Sequence, residues 1–139
     1  GTYSAMDVLG HFIHGEQTDW MPRTQIILES GEARPFEPFD MQGHEAVIRG
    51  KSASELLDTF AVLRKQNLTA LRELNLDDAK MDRTGMHPAL GRVTLRNMLA
   101  AWVVHDLGHT SQITRIMARQ YADAVGPWRP RMTFLGTAR

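Results

Sequence analysis

Apolar residues recur at helical intervals through three long stretches of this chain. The first runs from about Tyr3 to Glu29, where Met6, Leu9, Ile13, Trp20, Ile27 and Leu28 follow a period near 3.6 rather than an alternation. Thr2 and Ser4 are candidate N-caps, since each side-chain oxygen can accept from a free N–H of the first turn. Pro22 interrupts the pattern. Asp19 can cap a new helix that holds the proline in its first turn, where a missing N–H costs nothing. The pattern therefore predicts a kink or break between Thr18 and Pro22, and a stop at Gly31.

The second stretch opens on a capping box, Ser52-Ala53-Ser54-Glu55. Leu56, Leu57, Phe60, Leu63, Leu68, Leu71 and Leu74 form its stripe, which predicts core packing. Arg64, Lys65, Arg72 and Glu73 fall to the predicted solvent face, and nothing here reads as chemistry. The third stretch is capped by Thr94 and carries Met98, Leu99, Trp102, Val103, Ile113, Ile116 and Met117. It is expected to run to about Val125, where Gly126-Pro127 ends it.

Two connections separate these helices. From Glu32 to Lys51, Pro35, Pro38, Gly43 and Gly50 mark an irregular crossover, with Phe36 and Phe39 expected to pack on the bundle. From Asn75 to Val93, Gly85, Pro88 and Gly91 break the pattern. No segment reads as a strand. The prediction is an all-α bundle in a single domain, residues 1–139. A closed four-helix bundle needs one helix more than the pattern supplies.

Charge narrows the function. Lys plus Arg and Asp plus Glu number 16 each, so the chain is neutral overall. A nucleic-acid binder usually shows a basic excess, and none is present. There is no cysteine, which excludes disulfides, zinc–thiolate sites and a cysteine nucleophile. No apolar run approaches the roughly 20 residues of a membrane span, and no signal peptide is evident. A soluble, cytoplasmic protein is the expectation.

The candidate chemistry lies in His105-Asp106-Leu107-Gly108-His109. Two histidines four apart on a helix stand one turn above each other, their Cβ atoms about 6 Å apart. Both imidazoles can then converge on one metal ion. A third ligand is needed, and His11, closing Val8-Leu9-Gly10-His11, can supply it from another helix. His14 competes with it, three residues along the same face. Trp102, Val103, Val104 and Leu107 make the surroundings of the pair apolar. A buried imidazole without a partner costs about 1–3 kcal/mol, which favours a ligand over a surface role. The pair also fits His-Asp-x-x-His, one methylene short of the zinc-peptidase motif. Asp106 would reach a metal-bound water poorly, and no sheet edge is available to hold a peptide. Asp106 better suits orienting a histidine or bonding to a neighbouring helix. Glu16, Asp19 and Gln112 are candidates for outer support or a fourth ligand, against the plainer reading of polar helix surface. His44 and His87 fall in connections.

These residues resemble the DinB-like (DNA-damage-inducible) superfamily of bacterial four-helix bundles. That group includes the YfiT-like metal-dependent hydrolases and the bacillithiol and mycothiol S-transferases. The likeness rests on Val8 to His11, on His105 and His109 followed by Gln112, on His87-Pro88-Ala89-Leu90-Gly91 through Val93-Thr94-Leu95, and on Val125-Gly126-Pro127-Trp128. It selects His11 over His14 as third ligand, with His14 still able to join. It implies a divalent metal, zinc or nickel, and an N-terminal helix ahead of the first histidine helix that is absent from this chain. It implies a transferase joining a low-molecular-weight thiol to an electrophilic substrate, with a hydrolase or a non-catalytic metal-binding bundle as alternatives. The catalytic group would be the metal-bound water or thiolate, with no side chain assigned. The expected partners are a small-molecule substrate and a thiol, with no nucleic acid and no membrane. A homodimer is expected to cover the apolar face that three helices leave open.

Overall fold

The computed structural model describes residues 3–135, so Thr2, one of the two candidate caps, lies outside the described residues. Among the described residues run six α-helices and one two-stranded sheet. The first apolar stretch is two helices, α1 (Ala5–Thr18) and α2 (Trp20–Glu29), and the break falls at Asp19, inside the predicted window. Ser4 caps α1 reciprocally with Asp7. The Asp7 N–H donates to Ser4 Oγ at 3.2 Å, and the Ser4 N–H donates to Asp7 Oδ2 at 2.7 Å. Asp19 makes no side-chain cap to α2. Gly31 stops that helix in the left-handed region, at φ +58°.

The crossover contains a helix that periodicity does not announce, α3 (Gly43–Ile48). Six residues are too few for a stripe to show. Its position depends on Gly10 of α1. A Cβ there would collide with the Ile48 side chain and press on the His44 carbonyl oxygen at 3.2 Å. His44, expected in a connection, is a buried residue of this helix. Phe36 is buried, as expected, and Phe39 is half-buried.

The helix α4 (Ala53–Glu73) begins at its capping box with Glu55. Its stripe is less buried than predicted: Leu56 is fully enclosed, but Leu57 is 55% exposed. The reason is one-sided packing, chiefly on α1. The second connection holds a short α5 (Asp78–Met81) and, against expectation, a hairpin of β1 (Thr84–His87) and β2 (Gly91–Thr94). The strands pair antiparallel, Thr84 opposite Thr94 and His87 opposite Gly91. Strands of four residues are too short to display alternation. The longest helix, α6 (Leu95–Arg119), starts at a Thr94–Asn97 capping box. It ends short of the predicted Val125, because residues 120–125 turn before a 3-10 helix at Gly126–Arg131.

The core has two parts. Trp20, Met21, Ile27, Phe36, Leu95, Met98 and Trp102 form the larger, and Leu9, Ile13 and Leu56 the smaller. No described helix is long and apolar enough to cross a membrane.

Candidate metal centre

His105 and His109 lie one turn apart on α6, with ring centroids 4.5 Å apart. The crossing of α1 brings His11 to 5.0 Å from His105 and 4.7 Å from His109. One ligand atom from each of the three lies within 4.8 Å of the other two. His11 is buried, and the other two are half-buried. Phe12 meets His105 and His109 edge-on, at 5.9 and 5.7 Å. Trp20 meets His105 at 5.1 Å and stacks on Trp102 at 5.5 Å, 6° from parallel. The rings thus stand against rigid aromatic walls.

Outer hydrogen bonds assign the tautomers. His109 Nδ1–H donates to Gln112 Oε1 at 2.8 Å, and an amide oxygen can only accept. His105 Nδ1–H donates to the Asp106 carboxylate at 3.2 Å. Both rings then keep an Nε2 lone pair for the centre of the trio. His11 Nε2 lies 2.9 Å from His105 Nε2, while its buried Nδ1 has no partner. Burial, then the neighbouring His109 and His105, push the His11 pKa down to about 4. A neutral imidazole is the form that binds metal. Three imidazoles, two with their outer nitrogens already engaged and one with an unmet hydrogen-bonding site, fit a divalent cation. An ion held by these three residues would leave room for water or a substrate beside it.

Behind His105 runs a string of charge. Arg64 Nη2 contacts Asp106 Oδ2 at 2.7 Å, and the same nitrogen contacts Glu16 Oε1 at 2.7 Å. Arg64 Nε adds a bond to Glu16 at 3.0 Å, and Asn67 Nδ2 donates to Glu16 Oε2 at 2.9 Å. The Glu16 side chain is 0% exposed, so these donors are what make its charge tolerable there. Burial opposes the charge on Arg64, but Glu16 and Asp106 outweigh it and hold its pKa above the ordinary value. The guanidinium also lies over the rings of Phe60 and Trp102, at 4.9 and 5.2 Å.

The structure therefore brings His11, His105 and His109 together, with Asp106 and Gln112 directly behind two of them. Glu16 belongs to the outer string. His14 is not in the trio. Its ring packs on Phe39 at 4.9 Å and fills the space beside Gly43. Asp19 instead pairs with Arg23 at 2.7 Å, and burial raises its pKa against the pull of Arg23. The reading of Arg64 as solvent face is corrected: the side chain is half-buried and pairs with Glu16 and Asp106. Asn67 carried a signal: it interrupts the Phe60, Leu63, Leu71, Leu74 stripe with an amide. The apolar surroundings expected of the pair are also only partly present. Trp102 is buried, but Val103, Val104 and Leu107 are 60%, 68% and 66% exposed. Consecutive residues of a helix cannot all face one neighbour.

A cavity of about 510 Å³ opens beside His11 and His109, its walls including Tyr3, Met41, Gln112 and Ile116. A ligand can reach the trio through it. A family model described as DinB superfamily matches residues 2–113, which includes all three histidines. No curated protein matches the chain.

Proposed function

The chain belongs to the DinB superfamily, and from that premise we propose a metal-dependent transferase that joins a low-molecular-weight thiol to an electrophilic substrate. His11, His105 and His109 would hold the ion, zinc or nickel. The observation that carries the reading is the convergence of three imidazoles, two with fixed outer partners, at the wall of an open cavity. When bound, such an ion supplies Lewis acidity, which polarises an electrophile or lowers the pKa of a coordinated water or thiol.

The chain's own residues do the rest. Asp106 and Gln112 fix the rings of His105 and His109 with their Nε2 atoms inward. Arg64 holds Asp106 in place. Phe12 and Trp20 exclude water from the inner side of the rings. The chain has no thiol of its own, so a thiol nucleophile must enter as a co-substrate.

Metal analysis of the purified protein, followed by zinc and nickel titration of the metal-free form, tests the first half. About one ion per chain is expected, and loss of binding in His105→Ala. A thiol-conjugation screen tests the second half. Ester cleavage without a thiol would move the assignment to a hydrolase, and metal binding without either would leave a binding bundle. Equal metal binding by wild type and His105→Ala would reject the site. The proposal includes a cytoplasmic homodimer, supported by apolar side chains left open on α4 and α6, among them Leu57, Val62 and Leu107. Light scattering that showed a stable monomer would remove that part.

A further inference from the structure

The wall of the cavity beside the trio is completed by Arg115 and Arg119. No aspartate or glutamate lines it, although the chain as a whole carries equal numbers of acidic and basic residues. Arg23, Arg64, Arg92 and Arg96 each have a carboxylate within 4.0 Å. Among the described residues Arg115 and Arg119, like the exposed Arg34, Arg49, Arg72 and Arg83, have no such partner, and of these arginines they are the two that line the cavity. They stand one turn apart on α6, where like charges repel. The negative end of the helix favours Arg119 in its last turn, but not a second arginine a turn earlier facing the same cavity. An imposed pair of cations at the mouth of a cavity focuses positive potential into it.

We infer that the small-molecule ligand of this site carries an anionic oxygen group, a carboxylate or a phosphate, received by Arg115 and Arg119 while its reactive end lies at the histidine trio. The inference rests on the function proposed above and narrows its substrate class. Guanidinium groups suit this role because their paired N–H donors match two oxygens at once. The helix sets the ligand's length. Arg115 and Arg119 lie about 9 and 15 Å beyond His109 along the axis, and helical side chains lean back toward the N-terminus. A short chain, with its anion a few bonds from its reactive group, spans that gap.

The test uses the full chain loaded with cobalt, whose thiolate charge-transfer absorption reports thiol binding directly. The ligands are ω-mercaptoalkanoates of increasing length and the matching ω-mercaptoalkanamides. Wild type should favour acid over amide by at least about tenfold at the best length. In Arg115→Gln/Arg119→Gln that ratio should fall to about one, and raising the salt should lower it in wild type. Equal affinities for acid and amide in wild type, or an unchanged ratio in the double variant, would overturn the inference. A second arm needs no metal: adipate and inorganic phosphate are titrated calorimetrically into the metal-free protein. If cobalt fails to bind but either anion binds wild type and not the double variant, the metal reading falls and the anion site stands. The anion that binds then decides between carboxylate and phosphate. If neither binds and no thiol preference appears, the anion site is wrong.

Discussion

His105 stands between two unlike neighbourhoods. On one side are His11 and His109, imidazole rings gathered at the wall of an open cavity. On the other are Asp106, Arg64 and Glu16, a string of full charges that ends at a carboxylate sealed from solvent. The first side could hold a cation, and the second sets one guanidinium against two carboxylates, with Asn67 also donating to Glu16. Leaving the first without an ion strands the buried Nδ1 of His11, at a cost of about 1–3 kcal/mol. Removing Arg64 from the second leaves the sealed Glu16 and the half-buried Asp106 without their cation. The fold should therefore depend on the charged side, and ligand chemistry on the histidine side.

The sharpest break is His105→Ala. It should lower zinc affinity by more than about a hundredfold, beyond the range for losing an outer partner, while the metal-free protein melts close to wild type. Calorimetric titration and a thermal scan of the same two samples check both halves. A large loss of stability without metal would erase the distinction between the sides.

Arg64→Met comes next. It strands Glu16 and Asp106, and should cost about 3 kcal/mol of stability in denaturant unfolding. Zinc affinity should fall about tenfold, because Asp106 loses its anchor. Pairing it with Glu16→Gln sharpens the comparison: much of the stability should return while zinc affinity stays low. Recovery of both together would mean that Arg64 acts on the histidines only through general stability.

The third is a pH titration of the metal-free protein. The folded His11 has a pKa of about 4, below the usual 6.5, so the unfolded chain takes a proton in this window that the fold refuses. His11 therefore contributes stability in full above pH 6.5, loses it progressively as the pH falls, and has none left below about pH 4. The loss should be on the order of 2 kcal/mol, allowing for solvent at the cavity mouth. His11→Phe should flatten this segment of the stability profile. A profile equally steep in the variant would place the titration elsewhere. The smallest effect is expected for Gln112→Ala, which frees the His109 ring and should weaken zinc binding by about tenfold or less in the same calorimetric assay.

The two sides of His105 were not equally legible. The trio shows in sequence because His105 and His109 are linked by helix geometry alone, and because His11 follows a glycine in a resembled motif. The charged string shows poorly because its members lie 48 and 42 positions apart along the chain, and no periodicity connects them. Arg64 sits beside Lys65 on what reads as a wet face, and only the amide of Asn67 inside the stripe hinted otherwise. The major helices and their capping boxes were legible for the same local reason as the histidine pair. The helix α3 and the hairpin were not, since elements of six and four residues are shorter than the patterns that reveal them. The end of α6 was placed too late because Gly126, at φ +49°, closes a later turn rather than the helix itself.

The parallel indoles of Trp20 and Trp102 have an optical consequence. Two such rings at 5.5 Å share excitation, and one of them also touches His105. An ion placed beside that imidazole would change the field across the stacked pair and open or close a route for quenching its emission. Trp128, 67% exposed, emits at longer wavelength and supplies a steady reference in the same spectrum. The ultraviolet fluorescence of the unlabelled chain would thus report on the histidine trio, and a colourless ion, were one to bind there, could be followed in it.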